Sequence, residues 1–66
     1  MRIKVANVYA HKDGTYTVTL QRGNLLVTCA SIELWDEASV DEGLFDEWVE
    51  YACTGHEEYG LFYNRL

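Results

Sequence analysis

The chain has 66 residues and a net charge of −6 at pH 7. A chain this short has little room for both a complete core and a deep substrate pocket, which argues against an enzyme. Apolar residues form 48% of the chain, which excludes a disordered protein and predicts one small domain over residues 1–66. The excess of acids disfavours direct binding to nucleic acid or to anionic membranes.

The remaining composition predicts a cytoplasmic protein without a cofactor. We find neither the apolar core of a signal peptide nor a run of about 18 apolar residues. Cys29 and Cys53 are too few for a disulfide framework and are interpreted as small buried hydrophobic residues. A zinc site built from Cys53, His56, Cys29 and His11 would have only one closely spaced pair of ligands, so we predict no metal site. We also predict no catalytic residue.

The first third of the chain predicts a β-hairpin. Residues 3–10 and 15–20 alternate between apolar and polar on either side of Asp13-Gly14, a strong signal for a two-residue turn. That turn would place Tyr9 opposite Val18 and Asn7 opposite Leu20. The core face of this hairpin would then consist of Ile3, Val5, Tyr9, Tyr16, Val18 and Leu20.

A third strand should follow a turn at Gly23-Asn24. The segment "LLVTCASIEL" changes the parity of its apolar positions between Val27 and Ile32, which predicts a β-bulge within the strand. Together with the hairpin, this strand makes a three-stranded antiparallel meander.

The periodicity then becomes helical. Ser39 with Glu42 has the spacing of a capping box and predicts a helix from about Val40 to Cys53, ending near Gly55. Asp41 would lie in the first turn, where the helix dipole favours an anion. The apolar half would comprise Val40, Leu44, Phe45, Trp48, Val49, Tyr51 and Ala52. The opposite half would comprise Glu42, Asp46, Glu47 and Glu50.

The last segment, "EEYGLFYNRL", alternates again and predicts a closing strand, so the expected fold is α+β with the order βββαβ and the amphipathic helix packed on the sheet. We assign Phe62 to the core. The pattern leaves open whether Trp35, Tyr59 and Tyr63 are core or interface residues.

Charge is distributed unevenly along the chain. Residues 1–32 carry four bases and one acid, whereas residues 33–58 carry ten of the eleven acids and no Lys or Arg. Glu42 with Asp46, and Asp46 with Glu50, are like charges at i,i+4 that cost roughly 0.2–0.5 kcal/mol per pair. Gly43 weakens the helix further. Such conflicts with stability tend to fall at functional surfaces, and the alternative is an acidic face that is merely solvated.

The acidic face could imitate DNA. Its four helical carboxylates span about 12 Å of helix axis, and one DNA strand carries one charge per about 3.4 Å. The predicted partner-binding residues are Asp36, Glu37, Asp41, Glu42, Asp46, Glu47, Glu50, Glu57 and Glu58.

Two segments resemble a known family. "IKVANVYAHKDG" and "HEEYGLFYNRL" are similar to the beginning and the Glu-Glu-Tyr strand of ArdA-type antirestriction domains, which also have an acidic helix between them. As a class, small acidic phage anti-CRISPR proteins are similar as well. By position, the resemblance implies functional roles for Glu57, Glu58 and Tyr59, and for the general acidity of Asp41, Glu42, Asp46, Glu47 and Glu50. It implies an inhibitor from a phage or mobile element that blocks the DNA-binding groove of a host defence complex, often as a dimer.

The sequence therefore predicts a DNA-mimicking inhibitor that acts in the bacterial cytoplasm on a CRISPR effector or restriction-enzyme subunit. A homodimer joined through the closing strand or the sheet face would lengthen its acidic surface. The alternative is a non-enzymatic interaction module that docks through exposed aromatic residues.

Overall fold

The fold is a four-stranded antiparallel sheet with one α-helix packed against it. The computed structural model describes residues 2–54 and 60–65. Its elements are β1 (Lys4–Ala10), β2 (Tyr16–Arg22), β3 (Leu25–Ile32), a 3₁₀ turn (Glu37–Ser39), α1 (Glu42–Thr54) and β4 (Leu61–Arg65). The strands lie in the order β1-β2-β3-β4, so each strand pairs with the next along the chain. The predicted α+β fold with the order βββαβ is confirmed.

The register predicted for the first hairpin is wrong by one residue. The His11 amide donates to the Thr15 carbonyl at 2.8 Å, and Gly14 takes a φ of +89°. The loop therefore has three residues, with glycine in its left-handed position. Tyr9 lies opposite Thr17 rather than Val18. A slip of one residue reverses the faces of a strand, and the Tyr9 side chain is accordingly 62% exposed on the outer face.

A β-bulge in β1 turns the side chains of the residues before it back toward the core. The register shifts between Val5 and Asn7, so that Val5 lies opposite Leu20 while Val8 lies opposite Val18. The extra residue returns Ile3 and Val5 to the core side, as predicted, and both pack against the buried cluster. Val8 lies on the same face as its buried partner Val18. Val8 is nevertheless 41% exposed, because β1 is an edge strand.

The bulge predicted in the third strand is confirmed. Val18 pairs with Cys29, but Tyr16 pairs with Ile32, so one residue of β2 faces two residues of β3. Ile32 therefore reaches the core side, where it packs against the buried cluster. That cluster joins three elements and consists of Val18, Leu20, Val27, Cys29, Phe45 and Trp48.

The helix begins two residues later than predicted. Asp41, not Ser39, caps it, because Asp41 Oδ1 accepts a hydrogen bond from the Leu44 amide at 2.8 Å. Ser39 instead ends the 3₁₀ turn, where its hydroxyl donates to the Asp36 carbonyl at 2.6 Å. Most of the predicted apolar face is confirmed: Phe45 and Trp48 are buried against the sheet, and Leu44, Val49 and Ala52 pack on the same core. Val40 also packs there but lies before the helix, and Tyr51 is half-buried.

Two further predictions are wrong, for Phe62 and Cys53, and the structure decides two positions that the sequence left open, Trp35 and Tyr63. Phe62 is 55% exposed, because it pairs with Thr28 and so lies on the outer face of the sheet. Cys53 is exposed, whereas Cys29 is buried as predicted. Trp35 packs against the core, and Tyr63 at the β4 edge is 47% exposed. Tyr59 lies outside the described residues.

Candidate acidic binding surface

The predicted partner-binding residues that the structure describes are grouped on the helix side of the molecule. We define the acidic layer as residues 33–54, which contain the 3₁₀ turn and α1. Every predicted residue that the structure describes is exposed, and these are Asp36, Glu37, Asp41, Glu42, Asp46, Glu47 and Glu50. Glu57 and Glu58 lie outside the described residues.

Two of the aspartates stabilise the local backbone. Asp36 Oδ1 accepts a hydrogen bond from the Ala38 amide at 3.0 Å and caps the 3₁₀ turn. Asp41 Oδ1 caps α1 through the Leu44 amide. Short carboxylates at such positions satisfy amides that have no partner within the helix. This segment contains three Asp-Glu pairs, Asp36-Glu37, Asp41-Glu42 and Asp46-Glu47, and the aspartates of the first two pairs therefore have a structural role.

Arg22 neutralises part of the acidic row. Its Nη1 donates to Glu42 Oε2 and to Asp46 Oδ1, at 2.8 Å in both cases. Its guanidinium carbon also lies 4.6 Å from the centre of the Phe45 ring, within the range of a cation–π contact. The hydrogen bonds to Glu42 and then to Asp46 hold the pKa of Arg22 above its usual value.

This contact corrects the expectation of an uncompensated row. Glu42 and Asp46 form one of the two like-charge pairs predicted to destabilise the helix, and Arg22 from β2 bridges them. Two acidic residues of α1, Glu47 and Glu50, form no ion pair within residues 2–54 and 60–65. Glu37 in the 3₁₀ turn is likewise unpaired in that part of the chain. The acidic layer therefore keeps exposed charge, but less of it than the sequence predicts.

Lys4 and Lys12 lie away from the acidic layer. Lys4 is on β1 and Lys12 is in the hairpin loop that follows it, while α1 packs against β3 and β4. Two strand spacings place β1 about 10 Å from β3, which exceeds the screening length of about 8 Å at physiological salt. These lysines therefore do little to reduce the potential above the helix.

Arg22 is the residue of this surface that sequence reasoning missed. It stands 20 positions before Glu42 and 24 before Asp46, directly ahead of the turn at Gly23. A cation at the end of a strand shows no local pattern that would pair it with a later helix. Only the packing of α1 across the sheet brings the three side chains together.

The described residues contain no group of three or more His, Cys, Asp or Glu side chains arranged to hold a metal ion. Within the same ranges, no helix has the length and hydropathy needed to span a bilayer. Comparisons with protein-family models, with curated proteins and with solved structures found no match for this chain.

Proposed function

We propose that this chain is a small acidic inhibitor of phage or mobile-element type. It acts in the bacterial cytoplasm, where its acidic layer imitates DNA and occupies the nucleic-acid-binding groove of a host defence complex, such as a CRISPR effector or a restriction enzyme. It carries out no reaction and needs no cofactor. Its partner is a cationic protein surface, and it does not bind nucleic acid.

One observation carries this proposal: the carboxylates of the acidic layer are all exposed on one side of an ordered scaffold. The helix is anchored through Phe45 and Trp48, which are 0% and 8% exposed, so the charges are held on a backbone that is packed in place. Surface charge that is already ordered attracts an oppositely charged groove without the entropy cost of ordering on binding.

The ion pair with Arg22 changes which residues should contribute most. Glu42 and Asp46 are already bonded to a cation, so a partner's base would have to compete with Arg22 for them. Glu47 and Glu50 have no such competitor among the described residues, and both are exposed. We therefore assign the leading role in partner binding to Glu47 and Glu50.

The test is competition with duplex DNA for purified CRISPR effectors and restriction-enzyme subunits. A labelled duplex is bound to each target and displaced with the inhibitor at about 50 and about 200 mM salt, a range over which charge-driven binding weakens steeply. The wild-type chain should displace the duplex from at least one target. The double variant Glu47→Gln/Glu50→Gln should lose about tenfold or more in potency, since charge pairs across protein interfaces contribute on the order of 1 kcal/mol or more each.

A matched control separates local charge from net charge. The double variant Asn7→Lys/Asn64→Lys changes the net charge by the same +2, but both residues are exposed on the outer face of the sheet. It should compete as well as the wild-type chain. Equal losses in the two double variants, or no displacement from any target, would contradict the proposal.

The alternative function, docking through exposed aromatic residues, has one observation in its favour. Tyr9 and Phe62 are 62% and 55% exposed on the outer face of the sheet. They lie on opposite edge strands, however, with Thr19 and Thr28 on the two strands between them joined by a hydrogen bond of 2.9 Å. This mode predicts target binding that survives high salt and is lost in the double variant Tyr9→Ser/Phe62→Ser.

A further inference from the structure

A groove opens beside α1, on the flank opposite the one that Arg22 occupies. It has a volume of about 310 Å³ and lies between the helix and the segment that connects β3 to the 3₁₀ turn. Trp35 and Trp48 line it, with ring centres 6.3 Å apart and planes inclined at 43°. Leu34, at its mouth, is 90% exposed. Most of the wall is therefore aromatic or aliphatic.

Two carboxylates also line this groove. Glu47 comes from α1 and Asp36 from the connecting segment. The Glu47 side chain makes no hydrogen bond or ion pair with residues 2–54 or 60–65, and Asp36 uses Oδ1 alone, for the Ala38 amide. An aromatic groove lined by carboxylates repels phosphates and attracts a cation that has an apolar body.

On the other flank of the same helix, an aromatic ring and two carboxylates already bind a guanidinium group. There, Arg22 lies over the Phe45 ring and bonds to Glu42 and Asp46. The groove repeats these chemical elements, with indole rings in place of Phe45 and with Asp36 and Glu47 as the carboxylates. No base within the described residues reaches these two carboxylates.

We propose that the groove binds an arginine side chain of the partner protein. A guanidinium stacks on indole rings and forms paired hydrogen bonds with carboxylates, whereas a lysine ammonium is more strongly hydrated and has no planar face to stack. The volume is at the lower end of ligand clefts, which suits one long side chain better than a whole helix. Arginines are common on surfaces that hold nucleic acid.

This inference rests on the proposed function for the identity of the partner, but it is tested without that partner. The probes are three blocked peptides, Gly-Arg-Gly, Gly-Lys-Gly and Gly-citrulline-Gly, in which citrulline is the uncharged isostere of arginine. Each is titrated to millimolar concentration while the indole N–H signals of Trp35 and Trp48 are followed by NMR. The arginine peptide should give saturable shifts of both signals and bind about tenfold more tightly than the citrulline peptide, because hydrogen bonds to charged groups are the stronger ones.

Two single variants with the same change of charge locate the effect. Glu47→Gln alters a carboxylate of the groove and should weaken the arginine peptide about tenfold. Asp13→Asn removes a charge from the hairpin loop, outside both the acidic layer and the groove lining, keeps the side-chain oxygen that accepts from Thr15, and should leave the affinity of the arginine peptide within about twofold. Both positions are exposed, so both variants should fold, which near-UV circular dichroism checks.

Absence of saturable shifts, equal binding of the arginine and citrulline peptides, or equal losses in the two variants would overturn the groove assignment. Each of these results would leave competition with duplex DNA unaffected. Conversely, arginine binding with no displacement of DNA from any defence protein would refute the proposed function and retain the groove.

Discussion

Replacing Asp41 with alanine removes the acceptor that caps the N-terminus of α1. The Leu44 amide, now 2.8 Å from Asp41 Oδ1, would have only water as a partner. Loss of an N-cap costs about 1 kcal/mol, within a range of roughly 0.5–2. For a domain of this size, about 1 kcal/mol corresponds to a fall in Tm of about 4–8 °C. A chain of 66 residues has a free energy of unfolding of roughly 3–10 kcal/mol, so the variant should still fold.

Asp41→Asn is the matched control, because asparagine keeps the side-chain oxygen and loses the charge. Asparagine and aspartate are nearly equal as N-caps, so the expected loss is only a few tenths of a kcal/mol. Thermal and urea unfolding of the wild type and both variants, followed by far-UV circular dichroism, measure these differences. The urea midpoint should fall in Asp41→Ala with the slope unchanged.

Two results would refute the capping role of Asp41. If Asp41→Ala is as stable as the wild type, the hydrogen bond to the Leu44 amide contributes nothing. If Asp41→Asn is destabilised as much as Asp41→Ala, the carboxylate charge matters and the acceptor geometry does not. In the DNA competition assay, Asp41→Asn should lose less potency than Glu47→Gln, since the Asp41 carboxylate is already engaged within the chain.

Two further predictions concern the glycines and the cysteines. Gly60→Ala should be more destabilising than Gly14→Ala in urea unfolding. Both glycines have positive φ, at a cost of about 1–2 kcal/mol for alanine, but only at Gly60 would the new Cβ lie 3.0 Å from the Ala30 Cβ. Equal losses of stability would show that this contact relaxes freely. Iodoacetamide should modify Cys53 first at neutral pH, because Cys53 is exposed, whereas burial shields the Cys29 thiol and raises its pKa. Mass spectrometry of the peptides would show the order of modification, and equal rates would contradict the burial of Cys29.

Most of the fold was predictable because its signals are local. The parity change between Val27 and Ile32 identified the bulge in β3, and the helical period identified the face that buries Phe45 and Trp48. In both cases, burying apolar side chains on one side of a regular backbone fixes the pattern over a few residues. Long-range packing selects the same arrangement, so local and global preferences agree.

The wrong predictions concern positions where two local backbone arrangements have similar energies. Asp13-Gly14 fits a two-residue turn as well as the three-residue loop that forms, and only the pairing of the whole hairpin chooses between them. Ser39 and Asp41 are both good caps, and the 3₁₀ turn uses the first while α1 uses the second. Phe62 has the hydrophobicity of a core residue, yet the outer face of β4 has no layer over it among the described residues.

Sequence by itself determined that this chain is an acidic α+β protein with its carboxylates concentrated in one segment, since composition, periodicity and charge order are properties of neighbouring residues. Only the tertiary structure decided which carboxylates remain available to a partner. Arg22 reaches Glu42 and Asp46 across 20 and 24 positions of the chain, and Glu47 lines the same groove as Trp35, because β2, β3 and α1 pack together. Contacts between residues so far apart depend on the relative placement of whole elements, which no local pattern encodes.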